Sequence, residues 1–450
     1  MVVVVWSFLS VFCDVLTIGI LIYWVGIWCV HLIGIVYGCR KFRRRATIQS
    51  FDDAVEKGDA VVGVTVLKPL VSKPMDPNLM TNLESYFTIS YPKFELRFCI
   101  AEEGDPSIMV VKQLMSKYPN VEASLHIGAA DVGVNPKINN LYKGYHAARY
   151  PLLLMSDAGI FTKPEVLTEM VSCMTENVGI VMQLPYTTDR KGWAASLEKV
   201  NFGGNQARFS LFLNLLDQLK MRANLCIGMS ILMRKQIFEH AGGIEAFSPY
   251  LAEDYFFAEY CQRHGWGVRL SSHPALQNHG VYSVDFHFSR LERWTKLRLK
   301  MAPFATFIEP TTKCILLGLV AAAAATVQFQ ADFLAFFLFH LLAWILSDWL
   351  LLNIIQNGSP PFSKFEFAVA WLFHELSAIF VHVKALRDPV IDWRTARYVL
   401  HWGGRAEKID LVSPPAISHS ASEKTSQPQP AYPLNDDCSE TNKDSRVSII

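Results

Sequence analysis

Apolar positions are concentrated towards the two ends of the chain, whereas the middle alternates short apolar runs with amphipathic ones. The first long run, about Val15–Tyr37, can cross a hydrocarbon core of roughly 30 Å at about 1.5 Å per residue. Three further runs lie near Cys314–Phe329, Phe333–Ile355 and Phe365–Val383. The last of these contains Glu366, His374 and Glu375, so a re-entrant segment is an alternative to a full crossing.

The middle of the chain predicts an α/β domain. β-branched runs predict strands at Val61–Leu67, Phe94–Ile100, Ala123–Ile127, Leu152–Met155, Gly179–Leu184, Ile227–Leu232 and Gly267–Leu270. Amphipathic stretches predict helices at Pro77–Phe87, Pro106–Tyr118, Asn139–Ala148, Lys163–Thr175, Ala194–Gln206, Lys235–Gly242 and Ala252–Gly265. Strands separated by helices indicate a mostly parallel sheet, in which ligands bind outside the carboxyl ends of the strands.

The domain organisation follows from these patterns. We expect a lumenal N-terminus and transmembrane helix at 1–39, a cytosolic α/β domain at 40–300, membrane-associated helices at 301–405 and a disordered tail at 406–450. Within the second segment, the short apolar run 209–219 predicts an in-plane interfacial helix, with Phe209, Leu213 and Leu216 on one face. The active site is expected to open at the bilayer surface.

Basic residues predict the orientation of the first span. The cluster Arg40–Arg45 follows the apolar run, which favours a cytosolic domain and disfavours a cleaved signal peptide. Three crossings after the domain would place the C-terminus in the lumen, whereas basic residues between Lys384 and Arg405 favour the cytosolic side. The sequence leaves both arrangements open.

Composition narrows the class of protein. Of 450 residues, 51% are hydrophobic, which exceeds ordinary globular content and indicates membrane attachment. A net charge of +1 gives no case for nucleic-acid binding. The nine cysteines form no CxxC pair and are interpreted as reduced thiols, while His374 and His382 lack the spacing of a zinc helix.

Candidate chemistry lies at the predicted strand ends. Asp105 and Asp157 follow strands, Asp254 begins a helix, and Arg290 and Arg293 precede an apolar segment. Each has an ordinary structural explanation. Asp105 can open a turn, and Asp157 can precede a turn in which Gly159 supplies a special backbone angle. Asp254 suits a helix N-terminus, and the two arginines suit a basic face beside a membrane. Their order favours a metal-held, anionic leaving group, as in sugar transfer from a nucleotide diphosphate to a membrane acceptor.

Several segments resemble one family. They are Val66–Leu70, Asp105-Pro106, Gly133–Leu141, Asp157–Gly159, Gly228–Ser230, Ala252–Tyr255 and Arg290-x-x-Arg293-Trp294. Together they are similar to the ceramide glucosyltransferase family, the ceramide branch (family 21) of the membrane-bound GT-A glycosyltransferases. The resemblance runs from the first span to about Gly404.

The resemblance implies an activity and a set of site residues. UDP-glucose and ceramide would react with inversion on the cytosolic face of the Golgi or nearby ER membrane, giving β-glucosylceramide and UDP. Asp254 matches the general base, and Asp157 matches the ligand of a divalent cation, Mg²⁺ or Mn²⁺. The substrate-binding positions implied are Lys68, Asp105, Arg290, Arg293 and Trp294.

The sequence departs from the family pattern in the metal loop and at position 206. The metal loop reads Asp-Ala-Gly, so Asp157 is its single side-chain ligand, and Gln206 stands where His is usual. Cys226 falls near the expected substrate site, although a buried small apolar residue explains it as well. The alternatives are a processive polysaccharide synthase, which needs a larger bundle of spans, and a non-enzymatic scaffold or transporter, which needs no acids at strand ends.

Overall fold

The computed structural model describes residues 2–43, 61–71, 75–221, 227–393 and 396–409. Cys226, the end of the basic cluster at Arg44 and Arg45, and the predicted tail from residue 410 lie outside these ranges.

A seven-stranded sheet forms the centre of the catalytic domain. In spatial order its strands are β3 (Ala123–Ile127), β2 (Phe94–Ile100), β1 (Val64–Leu70), β4 (Leu152–Ser156), β8 (Ser230–Arg234), β6 (Val178–Met182) and β9 (Gly267–Leu270). All neighbouring pairs are parallel except those made by β8, which is antiparallel to β4 and β6. The predicted α/β fold with a mostly parallel sheet is confirmed.

Helices connect the strands and cover both faces of the sheet. They are α2 (Leu79–Phe87), α3 (Ser107–Lys117), α4 (Pro136–His146), α5 (Val166–Ser172), α6 (Trp193–Asn201), α7 (Ala207–Gln218), α8 (Lys235–Ala241) and α9 (Glu253–Arg263). A π-helical turn, Phe202–Gln206, joins α6 to α7. A small sheet of β5 (Ile160–Phe161), β10 (Ala275–Gln277) and β7 (Pro185–Thr187) lies beside the main one. The buried apolar side chains form one cluster on each face of the main sheet.

Helices of different length and polarity precede and follow the strands of this domain. They are α1 (Val2–Arg43), α10 (Val284–Met301), α11 (Pro303–Ile308), α12 (Cys314–Phe329), α13 (Phe333–Gln356) and α14 (Lys364–Arg387). Among the described residues, three helices are long and apolar enough to cross a membrane, namely α1, α13 and α14. Residues Pro303–Thr312 and α12 meet at a bend of 71°, so this pair is either a broken fourth span or a re-entrant loop.

Contacts along α1 define the directions of two neighbouring helices. Trp24 packs on Phe336 and, further along α1, Gly38 lies against Ile354, so α13 runs parallel to α1. Gln328, at the end of α12, donates a hydrogen bond to Asp14, so α12 runs towards the start of α1. Helices α12 and α13 therefore form a hairpin against α1.

Helix α14 instead lies along the catalytic domain. Phe373 packs on Trp193 of α6 and on Phe288 of α10, and Lys384 pairs with Glu292 of α10 at 2.8 Å. Near its start, Ser196 of α6 donates a hydrogen bond to Glu366 at 2.6 Å. These contacts with α6 and α10 favour the re-entrant alternative for this segment.

The predicted interfacial helix 209–219 corresponds to α7, which packs between α1 and β9. Its buried side chains include Leu211 and Asn214, whereas Phe209, Leu213 and Leu216 are half-buried. Helix α7 therefore belongs to the contact between the catalytic domain and the first span.

The last described residues form a third sheet, which the sequence analysis did not predict. It consists of β11 (Val390–Trp393), β12 (Ala396–Leu400) and β13 (Ala406–Ile409), paired antiparallel. The assignment of residues 406–409 to the tail is wrong, because they pair with β12. Helix α1 also extends past the predicted boundary at 39, as far as Arg43.

Candidate active site

The carboxyl edge of the central strands positions Asp157. It follows β4 directly, and its backbone N–H donates to the Met229 carbonyl at 2.9 Å, because antiparallel β8 begins at the same edge. Gly159 has an ordinary backbone angle, and a side chain there would collide with His279. The glycine thus serves close packing of the loop. The Asp157 side chain is 42% exposed and accessible to a ligand.

Lys68, in the neighbouring strand β1, supports the loop that contains Asp157. It is fully buried in β1, and its Nζ donates to the Asp157 carbonyl at 2.7 Å and lies 3.8 Å from the centre of the Tyr86 ring. Burial holds the pKa of Lys68 well below its usual value, although the Asp157 charge opposes the shift. These contacts make Lys68 a positioning residue for the Asp157 loop.

Lys137 joins the acids at this edge. Its Nζ lies 2.9 Å from Asp157 Oδ1 and 3.0 Å from Glu253 Oε1, and it donates to the Gly228 carbonyl at 3.3 Å. Burial lowers the pKa of Lys137, but the carboxylates of Asp157 and Glu253 outweigh it, and the net pKa is raised. The ammonium group therefore stays charged between the loop after β4 and the start of α9.

Asn135 fixes Lys137 and Glu253 relative to each other. As the N-cap of α4, its Oδ1 accepts from the backbone N–H of Lys137 at 2.7 Å. Its Nδ2 donates to the Glu253 carboxylate at 2.9 Å and to the Tyr250 carbonyl at 2.6 Å. A single buried amide thereby connects the N-termini of α4 and α9.

Asp254 occupies the first turn of α9 and faces Gly228. The Gly228 N–H donates to its Oδ2 at 2.6 Å, and the Tyr255 N–H donates to its Oδ1 at 2.9 Å. A Cβ at Gly228 would lie 2.8 Å from the Asp254 Cβ, so only glycine permits this approach.

The surroundings of Asp254 suit proton transfer. Burial and the adjacent Glu253 carboxylate raise the pKa of Asp254 to about 6, while Lys137 and the Gly228 N–H oppose the rise. A carboxylate whose pKa lies near the working pH can accept a proton and release it again. The geometry therefore permits the general-base role predicted for Asp254.

Asp105 lies in the loop after β2 and is buried. Its Oδ1 accepts from the backbone N–H of Ser107 at 2.8 Å and from the Ser107 hydroxyl at 2.6 Å. These are the contacts of the turn-opening role considered above.

Arg290 is buried in an ion pair. Its Nη1 donates to Glu198 at 2.9 Å and to Gln277 at 2.9 Å, and its guanidinium lies 4.7 Å from the centre of the Trp294 ring. Arg190 donates to the same Glu198 carboxylate. Arg190 and Arg290 thus surround the buried Glu198 carboxylate and connect α6, β10 and α10. Arg290 therefore has a structural role in addition to any contact with a diphosphate.

The remaining predicted residues have partners in other parts of the structure. The Arg293 guanidinium lies 5.7 Å from the centre of the Trp393 ring in the C-terminal sheet. Trp294 packs on Phe202, with 6.2 Å between ring centres. Trp294 and Gln206 line a common cavity between the catalytic domain and α14.

The sequence analysis missed three members of the site: Lys137, Glu253 and Asn135. An Asn-Pro pair opening a helix is a recognisable N-cap signal, and Lys137 follows it directly. Glu253 stands at the start of a predicted helix, where an acid has an ordinary structural explanation. Pairing between them needs α4 and α9 to meet, which local sequence does not encode.

The site suits a cation that arrives with a phosphate ligand. Within the described ranges, no group of three or more His, Cys, Asp or Glu side chains could hold a metal by itself. Asp157 nonetheless offers an accessible carboxylate, and Mg²⁺ is commonly bound by one or two carboxylates together with substrate phosphates.

The chain is similar to known proteins over most of its length. The profile of glycosyl transferase family 21 matches residues 26–406. Ceramide glucosyltransferase 3 of Caenorhabditis elegans is 38% identical over 395 residues, covering 87% of this chain and 83% of that protein. Ceramide glucosyltransferase of Komagataella phaffii is 26% identical, covering 88% of this chain and 92% of that protein.

Solved structures with similar chain traces include a mannosyltransferase from Pyrobaculum calidifontis in complex with GDP-Man and Mn²⁺. It is 14% identical, with a TM-score of 0.43, and the match covers 80% of this chain and 98% of that one.

Proposed function

The chain belongs to glycosyl transferase family 21, and we propose that it transfers glucose from UDP-glucose to the C1 hydroxyl of ceramide. The products are β-glucosylceramide and UDP, and the anomeric centre is inverted. The observation that carries the proposal is the position of Asp254, whose carboxylate accepts from the Gly228 N–H beside the start of β8, at the ligand edge of a GT-A domain.

Inversion follows from a single displacement. The C1 oxygen of ceramide attacks the anomeric carbon of glucose from the face opposite UDP, and the bond to the diphosphate oxygen breaks with its electron pair. Asp254 accepts the proton that leaves the attacking hydroxyl. The Gly228 N–H and the neighbouring Lys137 hold the Asp254 carboxylate in place and ionised near neutral pH.

The departing UDP carries the negative charge that the site has to balance. We propose that Asp157 holds a divalent cation, Mg²⁺ or Mn²⁺, which when bound would neutralise charge on the diphosphate. Lys137, 2.9 Å from Asp157, supplies a second positive charge at the same edge. Lys68 keeps the Asp157 loop in position through its carbonyl.

The helices support a proposal for the membrane arrangement. We propose a multi-pass protein of the Golgi membrane or the nearby ER, with the catalytic domain in the cytosol. The hairpin of α12 and α13 starts and ends on the catalytic side, and α14 lies along that domain. This arrangement would bring the last described strands, β11 to β13, to the cytosolic side, as the basic residues between Lys384 and Arg405 favour.

The reaction can be tested directly. Purified full-length protein in lipid nanodiscs is incubated with labelled UDP-glucose, Mg²⁺ or Mn²⁺ and a short-chain ceramide. We expect one labelled hexose per lipid, released by a β-specific glucosidase. A labelled polymer would instead support the processive synthase, and no transfer to any acceptor would support the non-enzymatic alternatives.

A further inference from the structure

A small polar cavity lies where the membrane helices meet the catalytic domain. Its walls come from the π-helical turn, α10, α14 and the segment between α11 and α12, and include Gln206, Trp294, Lys313 and His374. It occupies about 60 Å³. Pockets for whole drug-sized ligands measure about 300–1,000 Å³, so this cavity admits only a few polar atoms.

The cavity adjoins a break between two apolar helices. The segment Pro303–Thr312, which includes α11, meets α12 at a 71° bend, and Lys313 stands at the junction, almost fully buried. Irregular backbone at membrane depth is tolerated where it lines a cavity, and broken membrane helices often mark binding sites.

One buried nitrogen lacks a partner there. His374 is 6% exposed, and its Nε2 has no hydrogen-bond partner among the described residues. A buried polar atom without a partner costs roughly 1–3 kcal/mol. A ligand that supplies a hydrogen bond in the cavity would remove this cost.

The charges around the cavity favour a neutral ligand. Arg298 pairs with Glu309 at 3.0 Å, and Lys313 lies near Glu309 and Glu375. Two cations thus face two carboxylates, so the surroundings carry no excess charge to attract a phosphate.

The cavity is linked to the proposed base through Trp294. Gly228 contacts Asp254, and the next residue, Met229, accepts a hydrogen bond from Gln277 at 2.9 Å. Gln277 binds Arg290, and Arg290 stacks on Trp294. A continuous series of side-chain contacts thus connects the proposed base to the wall of the cavity.

An apolar surface lies next to the cavity. Phe304 and Phe307 of α11 are 79% and 72% exposed, just before Glu309 and Pro310 of the cavity wall. Exposed aromatic side chains beside membrane helices suit contact with acyl chains.

We propose that this cavity binds the polar end of the ceramide acceptor, with His374 hydrogen-bonded to its amide or 3-hydroxyl group and its chains lying over Phe304 and Phe307. The inference rests on the proposed function and adds a binding site to it. His374 positions the acceptor and takes no part in the proton transfer.

The test compares acceptors and variants. Wild-type protein and His374→Leu are assayed in nanodiscs with a short-chain ceramide, its 3-deoxy analogue and its N-methylated analogue. We expect His374→Leu to raise the KM for ceramide about tenfold, as the loss of one hydrogen bond of about 1.4 kcal/mol would. The KM for UDP-glucose should not change, and discrimination against at least one analogue should disappear. Leu376→Ala, an exposed residue of the same helix, should match wild type.

The possible failures are distinct. An inactive wild type would overturn the proposed function itself. The acceptor site would be overturned by an active wild type that uses both analogues as well as the parent ceramide. It would also be overturned if His374→Leu left the KM for ceramide unchanged, or raised the KM for ceramide and for UDP-glucose equally. If the variant does not fold, wild-type protein is labelled with a ceramide carrying a photoreactive group near its amide. Cross-links within 309–313 or 374–382 are expected, and their absence overturns the inference.

Discussion

Asp254 is the residue on which the proposed chemistry depends most. Replacement by Asn keeps the shape and the hydrogen bond from Gly228 but cannot accept a proton. We therefore expect Asp254→Asn to lower kcat by about 10²–10⁴-fold. UDP-glucose binding, measured by calorimetry, should persist. Turnover near the wild-type rate would return Asp254 to the role of an ordinary helix-opening acid.

Two charged neighbours should move the pH profile in opposite directions. The pKa of Asp254 is raised to about 6, so kcat/KM should fall as the pH drops below about 6 and the base becomes protonated. Glu253→Gln removes a charge that raises this pKa and should shift the acid limb to lower pH. Lys137→Met removes a charge that lowers it and should shift the limb to higher pH.

For Glu253→Gln and Lys137→Met, the quantity to compare is the pH at which kcat/KM falls. The absolute rate is not informative, because Lys137 also contacts Asp157. Lys112→Met, at an exposed site on α3, is the matched charge control and should leave the limb in place. Shifts of both site variants in the same direction would contradict the electrostatic account.

Asp157 should govern the response to metal. Asp157→Ala removes the accessible carboxylate of its loop, so we expect weaker nucleotide binding and a flattened dependence of rate on Mg²⁺ or Mn²⁺. Asp131→Ala is a suitable control, because Asp131 is exposed in a neighbouring loop. A metal titration that matches wild type would count against Asp157 as the ligand.

At the scale of elements, one buried carboxylate connects four helices. Asp348 of α13 lies 3.2 Å from His31 of α1 and 3.4 Å from Arg208 of α7, and accepts from the Trp371 Nε1 of α14 at 2.8 Å. Arg208 is 1% exposed. Leaving such a buried cation unpaired costs about 3–5 kcal/mol.

We therefore expect Asp348→Ala to lower the thermal midpoint of the protein in detergent by several degrees. Adding Arg208→Leu should restore part of it, because removing both charges leaves none uncompensated. Asp332→Asn at the N-cap of the same helix is the control, since Asn also caps well. No loss in the single variant, or no recovery in the double variant, would contradict the pairing.

At the scale of the whole molecule, α1 is part of the folded core as well as an anchor. Gly34 lies against the Arg208 backbone, and Gly38 contacts Leu211 and Leu351. Deleting residues 1–43 should therefore yield aggregated, inactive protein, as judged by size-exclusion chromatography and glucosyl transfer. Deleting residues 1–10 keeps these contacts and should preserve both properties. A soluble, active catalytic domain from the longer deletion would contradict this account.

Local pattern was sufficient for most of the elements. The strands Phe94–Ile100, Ala123–Ile127 and Gly267–Leu270 and the helix Cys314–Phe329 have the predicted bounds. Hydrophobic periodicity and flanking turn residues are properties of neighbouring positions, which explains this success. The antiparallel direction of β8 and the terminal strands β11 to β13 were missed, because strand pairing depends on distant segments.

The sequence by itself determined the family, the order of the acids and the apolar segments, since each is a property of residue type and spacing. Tertiary structure alone decided that Lys137 lies between Asp157 and Glu253, that Arg290 is paired with Glu198, and that α14 lies along the catalytic domain. These are contacts between segments far apart in the chain. Their energies depend on distance and burial in the folded state, which no local pattern of residues specifies.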